Sequence, residues 1–408
     1  MKTKAANILS SIKYELCIFI LLIVQAIINI SPYFLYVGEF TRLYYLIDFS
    51  MGKTSRLLVG SIVKLFNADP SPEWIGGFAT VVLVVVLLLS SIVIGKVIRS
   101  AESEYKPQAL VFTAFFITGI FTFSGFSEFL GVLDIWMFIA ALLAVVCAFN
   151  KYLRWLVPVF CAMGVLVHNA FVLTYFPLIV LVVLYLAVVN EKKSANIIVF
   201  VLSCIVTAVL TLFFTMKGSE IVAITQQQLY EALKNRGGYT YDDYGIENIL
   251  FYLLGIPPER SGGTVEAYAQ ASLIERFLIM IKFSLKDISL GYTLATVFSG
   301  TAVLAVFWLI WIKCIRNTQS KSKKFVYLCF MLSVFVVPVA MVVAFDFIRW
   351  FQASIITQFG LVMLMFLKKD EPFEKVMVQS REFFSDKKLL LVLMFVVYAT
   401  AQHIGQSA

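Results

Sequence analysis

The chain has 408 residues, of which 61% are hydrophobic and 14% are charged, and its mean hydropathy is +0.90. This composition excludes a soluble globule and predicts a polytopic α-helical membrane protein. The net charge of +8 does not argue for nucleic acid, because the basic residues lie mostly in short loops between apolar runs. We therefore expect the lipid bilayer as a partner and no nucleic acid.

The cysteines and histidines offer no metal signature. All six cysteines fall in or at the ends of apolar runs, no CxxC pair exists, and the two histidines form no HExxH motif. The cysteines are therefore expected to be small buried hydrophobic residues. No cofactor follows from the sequence, and a divalent metal stays open.

Eleven apolar runs predict spans of a hydrocarbon layer of roughly 30 Å, although the fifth run is short. In chain order they cover residues 16–35, 75–97, 109–126, 135–149, 155–167, 171–189, 197–216, 292–312, 325–344, 351–367 and 389–401. The fold class is therefore an all-α bundle of about eleven transmembrane helices, forming one polytopic domain over residues 1–408.

The charge distribution predicts how these helices are oriented. Lys and Arg concentrate before the first run and after every second one, which places those loops and the N-terminus in the cytoplasm. No small-residue cleavage site follows the first run, so we expect it to remain as a helix.

Two predicted outer segments stand out. Residues 36–74 form the first outer loop. Within it RLLVGSIVKLF, at 56–66, is amphipathic but too short to span, which predicts a re-entrant or surface helix. Residues 217–290 form a long outer loop, and their Gly, Pro and Tyr content predicts an ordered loop with short helices.

This topology places the unusual polar residues near the ends of the spans on one side of the membrane, the outer one. A charge at the centre of a bilayer costs about 2.5–3.5 kcal/mol, so charges are retained at a surface or for work in a cavity. Helices that converge at short turns would bring these residues to one outward-facing cavity. They are Glu39, Arg42, Asp48, Arg56, Glu128, Asp134, His168, Asp346 and Arg349.

Each of these signals has a structural alternative. Asp346 and Arg349 can form an interfacial ion pair beside an aromatic anchor. Asp134 can be a helix N-cap, His168 can belong to a turn, and Arg56 can snorkel from an amphipathic helix. Their common location is the reason to treat them together as a site.

Four short motifs carry a resemblance to a known group of proteins. They are Arg56-Leu57-Leu58-Val59-Gly60, Asp134, His168-Asn169 and Asp346-Phe347-Ile348-Arg349-Trp350. With these motifs the chain resembles bacterial polytopic proteins from surface-polysaccharide loci, in which Glu is expected where Asn169 stands. More broadly, it is similar to multi-spanning glycosyltransferases of the GT-C type and to O-antigen polymerases.

The resemblance implies an enzyme of the bacterial inner membrane that uses a polyprenyl-phosphate or polyprenyl-diphosphate sugar donor at the outer face. Its acceptor would be a glycan or a glycolipid. GT-C enzymes keep an acidic residue in the first outer loop, where Glu39 or Asp48 is the match. The sequence has no GxGxxG or GxxxxGK[ST] fingerprint for a nucleotide, as a lipid-linked donor would explain.

The chemistry of such a transfer assigns roles to the candidates. Attack of a hydroxyl on an anomeric carbon needs a base for the proton and cations for the departing phosphate. We expect Asp134 or His168 to be the base, with Asp48 as an alternative. We expect Arg56 and Arg349 to bind the phosphate.

The remaining candidates assist these groups. Asp346 is expected to orient Arg349, and Tyr residues of the long loop are expected to stack on sugar rings. The additional substrate-binding candidates are Glu39, Arg42, Glu128, Tyr239 and Tyr241.

Two other classes of function stay open. A transporter or lipid flippase would have ionisable groups at mid-membrane and repeat symmetry, whereas the sequence has few such groups and no internal repeat. The third class is another lipid-modifying enzyme, such as an acyltransferase acting on surface glycans, or a non-catalytic assembly partner.

Overall fold

The computed structural model describes residues 12–29, 37–53, 55–189, 193–217, 274–275, 278, 290–343, 347–394 and 396. In these residues the chain forms helices and no strand, and it is an all-α membrane protein. The first eight helices are α1 (Lys13–Asn29), α2 (Glu39–Leu46), α3 (Leu58–Phe66), α4 (Pro72–Ser100), α5 (Lys106–Ile117), α6 (Gly125–Glu128), α7 (Asp134–Ala148) and α8 (Val157–Val167). The others are α9 (Phe171–Thr174), α10 (Phe176–Val189), α11 (Lys193–Lys217), α12 (Leu290–Asn317), α13 (Lys321–Leu332), α14 (Val336–Val343), α15 (Phe347–Lys368) and α16 (Glu371–Ser385).

Five helices of the described chain are long and apolar enough to cross a membrane, and a bent pair, α5 with Phe121–Glu128, makes a sixth if it is one span. The five are Pro72–Ser100, Ser194–Phe214, Thr296–Asn317, Lys321–Ala340 and Phe347–Lys368. Three shorter apolar helices fall on further predicted spans, at Asp134–Ala148, Leu153–Val167 and Phe176–Val189. The total of eleven spans stays a prediction. The long outer loop at 217–290 lies almost wholly outside the described residues.

Sequence signals explain where α4 begins and ends. Ser71 Oγ accepts a hydrogen bond from the backbone N–H of Trp74 (3.3 Å), and Pro72 and Glu73 occupy the first turn. The Ser71 side chain satisfies a backbone N–H that has no partner within the helix. The Pro72 ring fixes its backbone φ near the helical value, and the charge of Glu73 is favourable at the positive end of the helix dipole. At 29 residues, α4 is roughly 44 Å long and exceeds the hydrocarbon layer. Its last turn carries Arg99, which pairs with Glu15 of α1.

Helix α15 is the centre of the bundle. Of its most apolar window, 89% is buried inside the protein, compared with 22% for the span Ser194–Phe214, which faces outward. Its polar residues bind neighbouring helices. Trp311 Nε1 of α12 donates to Gln358 Oε1 (2.6 Å), and Gln358 Nε2 donates to the backbone carbonyl of Phe330 (3.0 Å). Hydrogen bonds to neighbouring helices therefore take the place of water for the buried Gln358 side chain.

The helical conformation is interrupted between α5 and α6, and this interruption is stabilised by the same central helix. Thr122 has φ −134° and ψ −141°, far from helical values. Gln352 Nε2 of α15 donates to the carbonyl of Thr122 (2.8 Å), and Ser124 Oγ donates to the carbonyl of Gly119 (2.9 Å). Freed backbone groups are tolerated at membrane depth only when protein groups satisfy them in this way.

At the end of the bundle opposite Arg349, a buried carboxylate joins several helices. Asp370 accepts hydrogen bonds from Tyr185 Oη of α10 (2.9 Å), Lys323 Nζ of α13 (2.8 Å) and Tyr327 Oη. It also caps α16, because its side chain accepts from the N–H of Phe373 (3.4 Å). One carboxylate thus holds α10, α13 and α16 together.

Replacing Asp370 with Ala is expected to lower the free energy of unfolding by about 3–5 kcal/mol, because it leaves a partly buried lysine and two buried tyrosine hydroxyls without their partner. Thermal unfolding in detergent measures this loss. The control Asp386→Ala changes an exposed carboxylate just after α16 and should stay within about 0.5 kcal/mol of the wild type. Equal melting temperatures for the two variants would contradict the role given to Asp370.

Candidate functional site

Four of the predicted residues lie at helix ends on one side of the bundle. Asp134 is the first residue of α7, His168 directly follows α8, Arg349 lies in the first turn of α15, and Arg56 lies two residues before α3. Electrostatic interactions and one backbone hydrogen bond connect these four parts of the chain. Together with Tyr175, they are called the polar cluster.

The centre of the polar cluster is an ion pair between Asp134 and Arg349. The Asp134 side chain is 4% exposed and that of Arg349 is 26% exposed, so the pair is mostly withdrawn from solvent. The position of Asp134 at a helix N-terminus favours its negative charge. Removing either partner would leave the other as a charge in a medium of low dielectric, which is costly.

Arg56 is held in the polar cluster by a strained backbone. Its φ of +78° is unusual for a residue with a side chain. Its N–H donates to the carbonyl of Leu166 (2.9 Å), two residues before His168. Such strain costs on the order of 1–3 kcal/mol and persists only where the surroundings impose it.

Helix α3, which follows Arg56, lies very close to the loop that precedes it. A Cβ atom at Gly60 would lie 1.8 Å from the backbone carbonyl oxygen of Ile47. Helix α3 can therefore pack on the preceding loop only because residue 60 has no side chain. This packing sets the start of α3 and hence the position of Arg56.

His168 is a neutral hydrogen-bond donor in this geometry. Its Nδ1 accepts the N–H of Ala170 (2.9 Å), so the neutral ring carries its proton on Nε2. The residue is partly exposed, yet the protein atoms packed around the imidazole desolvate it. Desolvation first, and then the positive charges of Arg56 and Arg349, hold the pKa of His168 well below its usual range.

This lowered pKa predicts a loss of stability in acid. Below about pH 6.5, the unfolded chain binds a proton at residue 168 that the folded chain does not. The free energy of unfolding should therefore fall by about 1.4 kcal/mol per pH unit until the lowered folded pKa is reached. Above pH 6.5 the histidine is neutral in both the folded and the unfolded chain, so this loss of stability is absent.

His168→Asn is the variant that tests this dependence, because an Asn side chain can accept the Ala170 N–H and does not titrate. Thermal unfolding in detergent from pH 7.5 to 5.0 should show the acid slope in the wild type and a smaller one in the variant. His403→Asn measures the contribution of the chain's other histidine. Identical slopes in wild type and His168→Asn would contradict the assignment.

Tyr175 is a member of the polar cluster that the sequence did not single out. It is fully buried, and the charges of Asp134 and Arg349 both act on its hydroxyl. Its Oη has no hydrogen-bond partner in the described protein, and the same holds for Ser127 Oγ and Trp350 Nε1. Buried polar groups normally have partners, so the Tyr175 hydroxyl can still bind a polar group beside Asp134 and Arg349. Only the position of Tyr175, seven residues after His168 within the predicted apolar span 171–189, could have pointed to it.

The other predicted residues have different surroundings. Asp48 is buried and accepts hydrogen bonds from the Ser50 N–H (2.8 Å) and Lys64 Nζ (3.0 Å), so it supports the loop before α3. Arg42 is buried and acts electrostatically on Glu73 at the start of α4. Glu39 is the first residue of α2, and Glu128 is partly buried at the end of α6. Asp346, Tyr239 and Tyr241 lie outside the described residues. In the described structure, Arg349 is paired with Asp134.

No protein-family model, curated protein or solved structure matches the chain. Among the described residues, no group of three or more His, Cys, Asp or Glu side chains is arranged to hold a metal ion. The polar cluster itself combines two guanidinium groups, a carboxylate, a neutral imidazole with a donor N–H and a phenol. Such a set can bind an anion such as phosphate and accept a proton beside it.

Proposed function

We propose that this chain is a membrane glycosyltransferase or polysaccharide polymerase that uses a polyprenyl-phosphate or polyprenyl-diphosphate sugar donor. The observation that carries the proposal is the convergence of Arg56 and Arg349 on a neutral His168, beside the buried carboxylate of Asp134. Two arginines at one site suit a phosphate group, because a guanidinium binds phosphate oxygens in a bidentate manner.

The proposed reaction forms one bond and breaks one. The oxygen of an acceptor hydroxyl attacks the anomeric carbon of the donor sugar, and the bond from that carbon to the phosphate oxygen breaks with its electron pair. The hydroxyl proton passes to the Asp134 carboxylate. Arg56 and Arg349 bind the polyprenyl phosphate or diphosphate that leaves as an anion.

His168 has a different role in this proposal from the base expected from sequence. Because Nδ1 accepts the Ala170 N–H, Nε2 presents a proton rather than a lone pair. His168 therefore donates a hydrogen bond to a phosphate oxygen, and Asp134 remains as the base. The ion pair with Arg349 holds the Asp134 carboxylate in place within the polar cluster.

The setting of the polar cluster supports an amphiphilic substrate. The cluster lies at the ends of apolar helices, where a headgroup can meet it while its lipid remains in the membrane. The excess of Lys and Arg in the alternate loops supports the outer face of a bacterial inner membrane as the location of this end, with a cytoplasmic N-terminus.

The test is complementation in the native host after deletion of the gene. Arg56→Ala should reduce long surface glycan on gels by 100-fold or so while the protein accumulates, since losing a preorganised phosphate contact costs on the order of 10²–10³ in rate. Polyprenyl-linked intermediates should accumulate in lipid extracts. The matched control Arg381→Ala removes an exposed arginine that pairs with Glu104 (2.9 Å) at the other end of the bundle. An unchanged glycan with Arg56→Ala would contradict the proposal.

A transporter or lipid flippase is the second candidate, favoured by the 43° bend between α5 and Phe121–Glu128. Discontinuous helices line substrate sites in many transporters. The two functions differ in where the lipid-linked sugar accumulates when the protein is absent. Oxidation by external periodate in right-side-out vesicles should reach it on the outer leaflet for a transferase and fail to reach it for a flippase.

A further inference from the structure

An apolar cleft of about 110 Å³ runs along α7 and α15, with α4 and α10 as its walls. It extends along α7 from Phe138 to Phe149 and along α15 from Ile356 to Leu367. Apart from the Ser90 hydroxyl, the described residues that line it are apolar. The cleft therefore suits a hydrocarbon chain.

The length and position of the cleft correspond to one leaflet of a bilayer. The eleven residue steps from Phe138 to Phe149 rise roughly 16 Å, about half of a hydrocarbon layer of roughly 30 Å. Phe149 at its end is 37% exposed and its neighbour Val146 is 46% exposed, so the cleft opens toward the membrane. At this depth of the membrane, the protein is surrounded by lipid acyl chains.

A cation lies at the end of the cleft that is remote from the polar cluster. Lys368 directly follows Leu367, and its Nζ lies 5.1 Å from the centroid of the Phe149 ring. The next residue, Lys369, is paired with Glu102 (3.2 Å). Within the described ranges Lys368 has no such carboxylate partner, so its charge is available to an anionic headgroup.

We propose that this cleft binds one acyl chain of an anionic glycerophospholipid from the leaflet at the Lys368 end, with the lipid phosphate at Lys368 Nζ. Charge and length select this occupant. The phosphate complements an unpaired ammonium group, and the chain reaches from the membrane surface to the midplane. The proposal stands independently of the proposed transferase function, because the polar cluster lies at the other end of α15.

The first experiment measures headgroup preference by the melting temperature of delipidated protein in detergent. Added palmitoyl-oleoyl-phosphatidylglycerol should raise the wild-type melting temperature at a lower concentration than the matching phosphatidylcholine. Lys368→Gln should raise the phosphatidylglycerol concentration needed for half of the stabilisation about fivefold. This is the effect of one cation near an anionic lipid. The control Lys387→Gln removes a lysine in the same kind of contact, 4.0 Å from the Phe383 ring, and should leave the midpoint unchanged.

The second experiment locates the chain. Phosphatidylglycerol with a photoreactive diazirine in one acyl chain should label peptides of α4, α7 and α15. Val145→Phe, which fills the cleft, should reduce this labelling at least fivefold. Val146→Phe, at the neighbouring membrane-facing position, should not.

Three results would overturn the proposal. One is equal stabilisation by phosphatidylglycerol and phosphatidylcholine in the wild type. Another is an equal effect of Lys368→Gln and Lys387→Gln. The third is labelling spread evenly over outward-facing helices such as Ser194–Phe214, which requires only wild-type protein and therefore does not depend on how the variants fold.

Discussion

The Asp134→Ala variant is expected to lose about 3 kcal/mol of stability and all transfer activity, whereas the double variant Asp134→Leu with Arg349→Met is expected to regain the stability alone. Removing one partner of a buried ion pair leaves an uncompensated charge, which costs about 3–5 kcal/mol. Replacing both partners with apolar residues of similar volume is often neutral or stabilising. Thermal unfolding in detergent and the surface-glycan gel together measure the two effects.

The double variant separates a structural from a catalytic role for this ion pair. If Asp134 and Arg349 only anchor α7 to α15, the double variant should restore glycan along with stability. That outcome would remove the pair from the proposed mechanism. The exposed pair of Arg381 with Glu104 is the control, because breaking a surface pair should cost no more than about 1 kcal/mol.

Gly60→Ala is expected to lower transfer activity about 100-fold through the position of Arg56. The added methyl group would lie 1.8 Å from the Ile47 carbonyl oxygen, so α3 or the loop must move by roughly 1 Å or more. A displacement of about 1 Å at a catalytic group can cost on the order of 10²-fold in rate. The same surface-glycan gel measures the loss, with immunoblots to normalise for protein level.

The matched control for this change is Gly77→Ala in α4. A Cβ atom at Gly77 meets nothing within 4 Å. Replacing a helical glycine with alanine at an open position should stabilise α4 by up to about 1 kcal/mol and leave activity unchanged. Wild-type activity in Gly60→Ala would show that α3 tolerates the shift and does not position Arg56.

The helical membrane architecture was predictable because it depends on composition and on the length of apolar runs. The helix at Leu58–Phe66 was also predictable, since its amphipathic pattern is local. The break between α5 and α6 was not, because the run at 109–126 reads as one span. At that break Gln352, far away in the chain, supplies a hydrogen bond to the freed carbonyl of Thr122.

The polar cluster was predictable in part. Charge alternation between loops placed Arg56, Asp134, His168 and Arg349 on one side, and the structure brings these four together. The sequence suggested Asp346 as the partner of Arg349, because residues three apart share a helix face. The sequence offers no reason to choose Tyr175, since a tyrosine in an apolar run is usually a packing residue.

Sequence alone therefore determined that the chain is a membrane protein, roughly where its helices lie, and which polar residues gather at one end. These properties follow from hydropathy and charge, which each stretch of chain carries by itself. Only the tertiary structure decided that Asp134 pairs with Arg349, that His168 is a hydrogen-bond donor, and that Lys368 lies at the end of an apolar cleft. Those properties depend on which helices pack side by side, because a buried charge or hydrogen bond acquires its partner and its dielectric surroundings only there.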